Sequence, residues 1–162
     1  MKTITFITLS LFYFSVCASQ EPVQMTSQQQ ENAKKQIREA VKVILQNLEK
    51  MDADALFQSY SDASPLIFFT TDGSKIGLVE AKNHHSAWFK SLSSLKVTTI
   101  TDDFRFLHGN NVIFSWIGKF EMTLGSGQRL KIDKFGITFI FTKIDSQWKV
   151  IYQHSSALPP TQ

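Results

Sequence analysis

The stretch Gln147-Trp148-Lys149-Val150-Ile151-Tyr152-Gln153-His154, followed by Ser155-Ser156-Ala157-Leu158-Pro159, decides the fold. Trp148, Val150, Tyr152 and His154 recur with period two, which predicts that all four point to one face of a β-strand. That face carries two aromatic rings, a valine and, at the strand's exit, an imidazole. It either seals a core or lines a pocket with one titratable group at its mouth. Imidazole titrates near neutral pH, at about 6.5 when unperturbed, so His154 is the first candidate for proton transfer. Its bland alternative is a strand-end residue bonded to backbone or to Ser155.

Working outward, three long β patterns precede this strand: Leu95 to Leu107, Val112 to Leu124 and Arg129 to Lys143. Turn signals separate them at His108-Gly109-Asn110-Asn111, Gly125-Ser126-Gly127 and Asp145-Ser146. Each run is far longer than the usual ~5–6 residues, which predicts a strongly twisted, curved antiparallel sheet bent at bulges. Phe135, Ile137, Phe139 and Phe141 alternate with Gly136, Thr138 and Ile140, so both faces of that strand are substantially apolar. One face meets helices; the other needs cover. The natural cover is a second copy, giving a homodimer packed through the outer sheet face.

The N-terminal half reads as helical. Ser27-Gln28-Gln29-Gln30 has the form of a capping box, and Ala33, Ile37, Val41, Ile44 and Leu48 continue an amphipathic helix to about Lys50. Asp52 is the expected N-cap of a short helix with Ala55, Leu56, Phe57 and Tyr60, stopped before Pro65. Leu66 to Thr71 reads as a strand and Asp72-Gly73 as a turn. A third helix over Leu78 to Leu92 puts Leu78, Ala81, His85, Trp88, Phe89 and Leu92 on one stripe. Helices first and a meander of strands after them make an α+β domain. Its cone-shaped curved antiparallel sheet is expected to pack against three N-terminal helices around an apolar interior.

At 162 residues the chain accommodates one domain with a sizeable core. Residues 1–18 fit a secretory signal peptide: Lys2, an apolar run from Ile4 to Val16, then Val16-Cys17-Ala18 as a cleavage site. The run is too short to span a bilayer, which takes about 20 apolar residues. The mature chain is therefore expected to be periplasmic or secreted, with lipidation at Cys17 as the minor alternative. Cys17 is the 1 cysteine of the chain, so cleavage after Ala18 leaves neither disulfide nor thiol chemistry. Residues 19–29 read as a flexible leader, 30–159 as the domain and 160–162 as a tail. The net charge of +3 is not clustered, which argues against nucleic acid as a partner.

The elements quoted above resemble the nuclear transport factor 2-like, or SnoaL-like, superfamily. The segment Thr138-Phe139-Ile140-Phe141 with Trp148-Lys149-Val150-Ile151 and His154 to Pro159 resembles the group holding SgcJ/EcaC-type proteins and the calcium/calmodulin-dependent kinase II association domain. That resemblance implies the cone fold over most of the mature chain. It does not imply one activity, because the fold hosts many. This chain has Gly136 where such relatives often have Arg, and Gln153 where they often have a second His.

The predicted inward faces bring Tyr60, His85, Trp88, Tyr152 and His154 to the polar end of the interior, as ligand-binding residues for a small, partly apolar molecule. Two alternatives stand beside this reading. One is a cofactor-independent isomerase, dehydratase or hydrolase with His154 or an Asp as general base, for which Asp62, Asp102 and Asp103 are the acidic candidates. The other is an oligomeric assembly module whose cavity is filled. Adjacent His84 and His85 diverge by about 100° on a helix, so no metal site is expected, and no cofactor motif is present.

Overall fold

The computed structural model describes residues 25–62, 66–107 and 110–161. The expected signal peptide with Cys17, Pro65 and the His108-Gly109 turn lie outside them. Helix α1 (Ser27–Glu49) is capped by Thr26, whose Oγ1 accepts from Gln29 N at 3.3 Å while Gln29 Oε1 accepts from Thr26 N at 2.8 Å. The capping box thus sits one residue before the expected one, and the helix begins inside the segment expected to be leader. Its buried positions are Ala33, Ile37, Val41, Ile44 and Leu48, the predicted stripe. Asp52 caps α2 (Ala53–Phe57), accepting from Ala55 N at 2.9 Å.

Strands β1 (Ile67–Phe69) and β2 (Lys75–Ile76) form a small hairpin, turned at Gly73 with φ +84°. Helix α3 (Leu78–Lys90) buries Ala81 and Phe89, and Leu92, expected at its end, instead opens β3. Strands β3 (Leu92–Phe106), β4 (Asn111–Leu124), β5 (Arg129–Ile144) and β6 (Gln147–Ala157) form the antiparallel meander. Asp145 and Ser146, with φ of 47° and 66°, turn β5 into β6, as a two-residue hairpin with positive φ at both positions requires.

The strand order is β2-β1-β6-β5-β4-β3, and β1 runs parallel to β6. The sheet is therefore mixed rather than wholly antiparallel, because β1 and β6 are joined through β2, α3 and β3 to β5 rather than by a hairpin. Register shifts at Leu92/Ser94, Thr99/Thr101, Gly118/Phe120 and Ile140/Phe141 bend the long strands. The concave side packs on the helices. Phe114, Trp116, Phe139, Phe141, Val112 and Val150 are almost fully buried there. Trp148 anchors β6 to α1 by donating Nε1–H to Gln36 Oε1 at 2.9 Å.

Candidate functional site

Leu56 and Phe57 pull α2 into the core, and the chain leaving it pairs with β6. Val150 N donates to Ser59 O at 3.0 Å, and Ser61 N donates to Val150 O at 2.9 Å. These bonds place Tyr60, which is 6% exposed, over β6. Its hydroxyl donates to Gln153 Oε1 at 2.5 Å, and Gln153 Nε2 donates to Ser155 Oγ at 2.9 Å. Gln153 and Ser155 are both buried.

This polar row forms the floor of an open cavity of about 300 Å³ between helices and sheet. Leu45, Leu48 and Leu56 line it from the helices, and Phe120, Ile137 and Phe139 from the sheet. His84, His85 and Trp88 line it from α3, with exposed His84 at the rim. The lining is largely apolar with a few convergent polar groups, the usual make-up of a small-molecule site. No Asp, Glu, Lys or Arg belongs to it among the described residues.

His85 Nδ1 lies 2.8 Å from Ala81 O. A carbonyl only accepts, so Nδ1 carries the proton and Nε2 is the ring's basic nitrogen. Phe57, Phe68 and Phe89 surround the ring at 5.2, 5.6 and 5.9 Å. Burial pushes the His85 pKa below its ordinary value, against the opposing effect of the Ala81 bond. Burial likewise pushes the Tyr60 hydroxyl well above the usual phenol range. Both groups are neutral at pH 7.

Of the five residues expected at the polar end, Tyr60, His85 and Trp88 meet on the cavity wall. Tyr152 and His154 do not. Ile140 pairs with Tyr152 and Phe141 with Val150, so Ile151 has no partner across β5. This bulge reverses the alternation: Trp148 and Val150 face the core, whereas beyond it Gln153 and Ser155 do. Tyr152 and His154 lie on the convex face beside Phe69, at 6.1 and 6.0 Å between rings. Period two alone missed Gln153 and Ser155. The available signal was the unbroken apolar triplet Val150-Ile151-Tyr152, which fits neither alternation.

The acidic candidates lie elsewhere. Asp62 and Asp103 are exposed. Asp102 faces α1, where Arg38 Nη2 and Nε reach its two oxygens at 2.8 and 3.2 Å. Asp103 and Arg105 lie exposed on the other face, and Asp102 pairs with Arg38. Among the described residues no group of His, Cys, Asp and Glu is arranged to hold a metal. No described helix is long and apolar enough to cross a membrane.

A curved sheet closed over three helices around a pocket defines a cone-shaped α+β protein of the nuclear transport factor 2-like kind. The chain belongs to the SnoaL-like domain family, whose profile matches residues 37–160. A search of curated proteins found no match. Among solved structures, a nuclear transport factor 2-like superfamily protein from Salmonella enterica superposes with TM-score 0.70 at 19% identity, covering 82% of this chain and 96% of that one. A proposed scytalone dehydratase from Novosphingobium aromaticivorans gives 0.76 at 9% identity over 84% and 91% of the two chains. A proposed calcium/calmodulin-dependent protein kinase II association domain from Xanthomonas campestris gives 0.65 at 17%, over 76% and 86%. At these identities the likeness establishes the fold alone.

Proposed function

We propose that the chain is exported, loses residues 1–18, and binds a small, largely apolar molecule in the cavity between helices and sheet. The supporting observation is a preformed, open and largely apolar cavity of about 300 Å³ with the polar row Tyr60, Gln153 and Ser155 on one floor. An assembly module with a filled interior fits this open cavity poorly. The convex face, with Ile113, Ile140 and Tyr152 in one row, is the proposed homodimer surface.

The probe that tests ligand binding is N-phenyl-1-naphthylamine, a neutral fluorophore that brightens in apolar surroundings. Saturable 1:1 enhancement is expected, and it should disappear in Leu48→Phe and in Met122→Phe, which narrow the cavity from opposite walls. Enhancement that survives both substitutions in folded protein would place the dye elsewhere and sink the reading.

A cofactor-independent lyase or isomerase is the second reading, favoured by His85 alone. Its Nε2 is a neutral, basic nitrogen on a water-poor wall, the form a general base takes. His85 thereby replaces His154 and the aspartates as the base to test. The solved neighbour described as a proposed dehydratase is in keeping with this chemistry. Deuterium exchange at the α-carbon of an added ketone, followed by NMR and abolished by His85→Gln, would support it; exchange equal to buffer would remove it.

A further inference from the structure

Rows of side chains run across the strands of the convex face, and one of them has a charge order. Asp103 of β3 stands beside Ser115 of β4, Ser115 beside Thr138 of β5, and Thr138 beside His154 of β6. Neighbouring strands lie about 4.8 Å apart, so three spacings put the carboxylate and the imidazole about 14 Å from each other. Both are exposed, and neither side chain makes a hydrogen bond or ion pair among the described residues. One row toward Arg105, Ile113 stands beside Ile140. One row the other way, Ile117 stands beside Gly136, which puts no side chain on the face. Further along the same strands, Glu121 stands beside Lys131.

Packed sheets keep their strands nearly aligned, about 10 Å apart, and two copies in a closed contact are related by a two-fold axis. Between face-to-face sheets that axis lies in the plane of contact, along a row or along the strands. An axis along a row lays each strand on its own copy. Centred on either charged row, it stacks Asp103 on the partner's Asp103 or Arg105 on the partner's Arg105, and like charges repel. Centred between the two rows, it presses the Ser115 and Thr138 hydroxyls onto the partner's Ile113 and the partner's Ile140, where they find no hydrogen bond. An axis along the strands, between β4 and β5, lays β3 on the partner's β6 and β4 on the partner's β5. Asp103 then faces the partner's His154, and Ile113 faces the partner's Ile140. Ile117, 40% exposed, faces the gap at the partner's Gly136, and Glu121 faces the partner's Lys131.

We infer that two copies meet with the two-fold axis running along the strands between β4 and β5, each Asp103 pairing with the partner's His154. This rests on the convex face being the dimer surface and adds the register of the contact. Each dimer holds the pair twice, because the axis repeats it. His154, which the bulge in β6 turns away from the cavity, is then an interface residue, and Gly136 makes room for the partner's Ile117.

Chemical cross-linking tests the register. Asp103→Cys and His154→Cys are each made in the chain lacking residues 1–18, which leaves no other thiol. Bismaleimidoethane, a short thiol-to-thiol linker, should join the two variants when they are mixed. It should join neither variant to itself, since identical positions lie on opposite sides of the axis. Charge exchange gives a second readout by sedimentation velocity. Asp103→Arg takes away the acceptor and sets donor against donor, so the dissociation constant should rise about tenfold or more. Adding His154→Asp should return it to within about threefold of the wild-type value. A wild-type dimer whose two cysteine variants do not cross-link on mixing, or whose Asp103→Cys variant joins itself, overturns the register and leaves the dimer surface in place. A charge exchange that restores nothing does the same. A wild-type monomer at tens of micromolar overturns the dimer reading and the register with it.

Discussion

The Tyr60 hydroxyl donates to Gln153 Oε1 at 2.5 Å, joining residues 93 positions apart in a buried pair. Tyr60→Phe removes the donor and leaves a buried amide oxygen unmatched, at a cost of about 1–3 kcal/mol. Gln153→Met alone leaves the tyrosine hydroxyl in the same position. The double variant Tyr60→Phe, Gln153→Met has no orphaned pair, so its loss in urea unfolding should be smaller than the sum of the singles. Strict additivity would mean the two side chains do not act as a unit.

Gly118 is the least replaceable glycine in the sheet. A Cβ there would lie 2.1 Å from Trp116 Cη2 and 2.7 Å from Thr98 O. The indole is held in that position by its Nε1–H, which donates to Thr99 Oγ1 at 2.9 Å. Gly118→Ala should therefore destabilise by about 3 kcal/mol or more, the upper range for overpacking a core, and should alter the near-UV circular dichroism. A stability loss under about 1 kcal/mol would show that Trp116 moves freely.

The helices and the meander of long strands were legible because each follows from a pattern that burial enforces, whereas the parallel seat of β1 beside β6 was not. The stripe from Ala33 to Leu48 is buried as spaced, and so are Ile137, Phe139 and Phe141 of the β5 alternation, with Phe135 half-buried. The site was half legible. Tyr60, His85 and Trp88 sit on helices or their exits, where no register can slip. His154 was misplaced because one unpaired residue, Ile151, turns the end of β6 over. Neither glycine nor proline marks that bulge; the apolar triplet Val150-Ile151-Tyr152 hints at it, and the pairing of β6 with β5 locates it.

Acidification should weaken the fold through His85. Its folded-state pKa is lowered, chiefly by burial, so the unfolded chain takes up the proton first as pH falls. The contribution is intact above the unfolded value of about 6.5 and is lost as pH drops below it toward the folded value. Urea unfolding from pH 8 to 5 should show this loss, with a slope of at most about 1.4 kcal/mol per pH unit. His85→Gln, which keeps a donor for Ala81 O, should flatten that part of the profile. Identical profiles for the two proteins would assign the titration to another group.

Asp102 provides the control for catalysis by a carboxylate. It is spent on Arg38, whose guanidinium also lies 4.9 Å from the Phe104 ring centroid. The Arg38 side chain is 53% exposed, so solvent screens the pair and its worth is about 0–1 kcal/mol. Asp102→Asn should lower stability by less than about 1 kcal/mol and leave N-phenyl-1-naphthylamine binding unchanged. A large loss of binding would tie the aspartate to the cavity, against its position facing α1.

The convex face yields the last prediction. Ile113 pairs with Ile140, Ile140 with Tyr152, and Tyr152 with Ile67, laying an apolar row across four strands. Ile117, 40% exposed, stands in the next row but one toward Ser156. Such a surface exceeds what isolated exposed side chains provide and is suited to a self-complementary contact. Sedimentation velocity of the wild-type chain at tens of micromolar should show a dimer. Ile140→Asp, at the row's centre, should raise the dissociation constant by at least about 30-fold, since a central hot-spot loss is about 2 kcal/mol or more. The same variant should keep its cavity binding, because Ile140 points away from the helices while Phe139 and Phe141 fill the core. A wild-type monomer at that concentration, or an Ile140→Asp dimer of unchanged affinity, would assign the convex face to some other contact or to solvent.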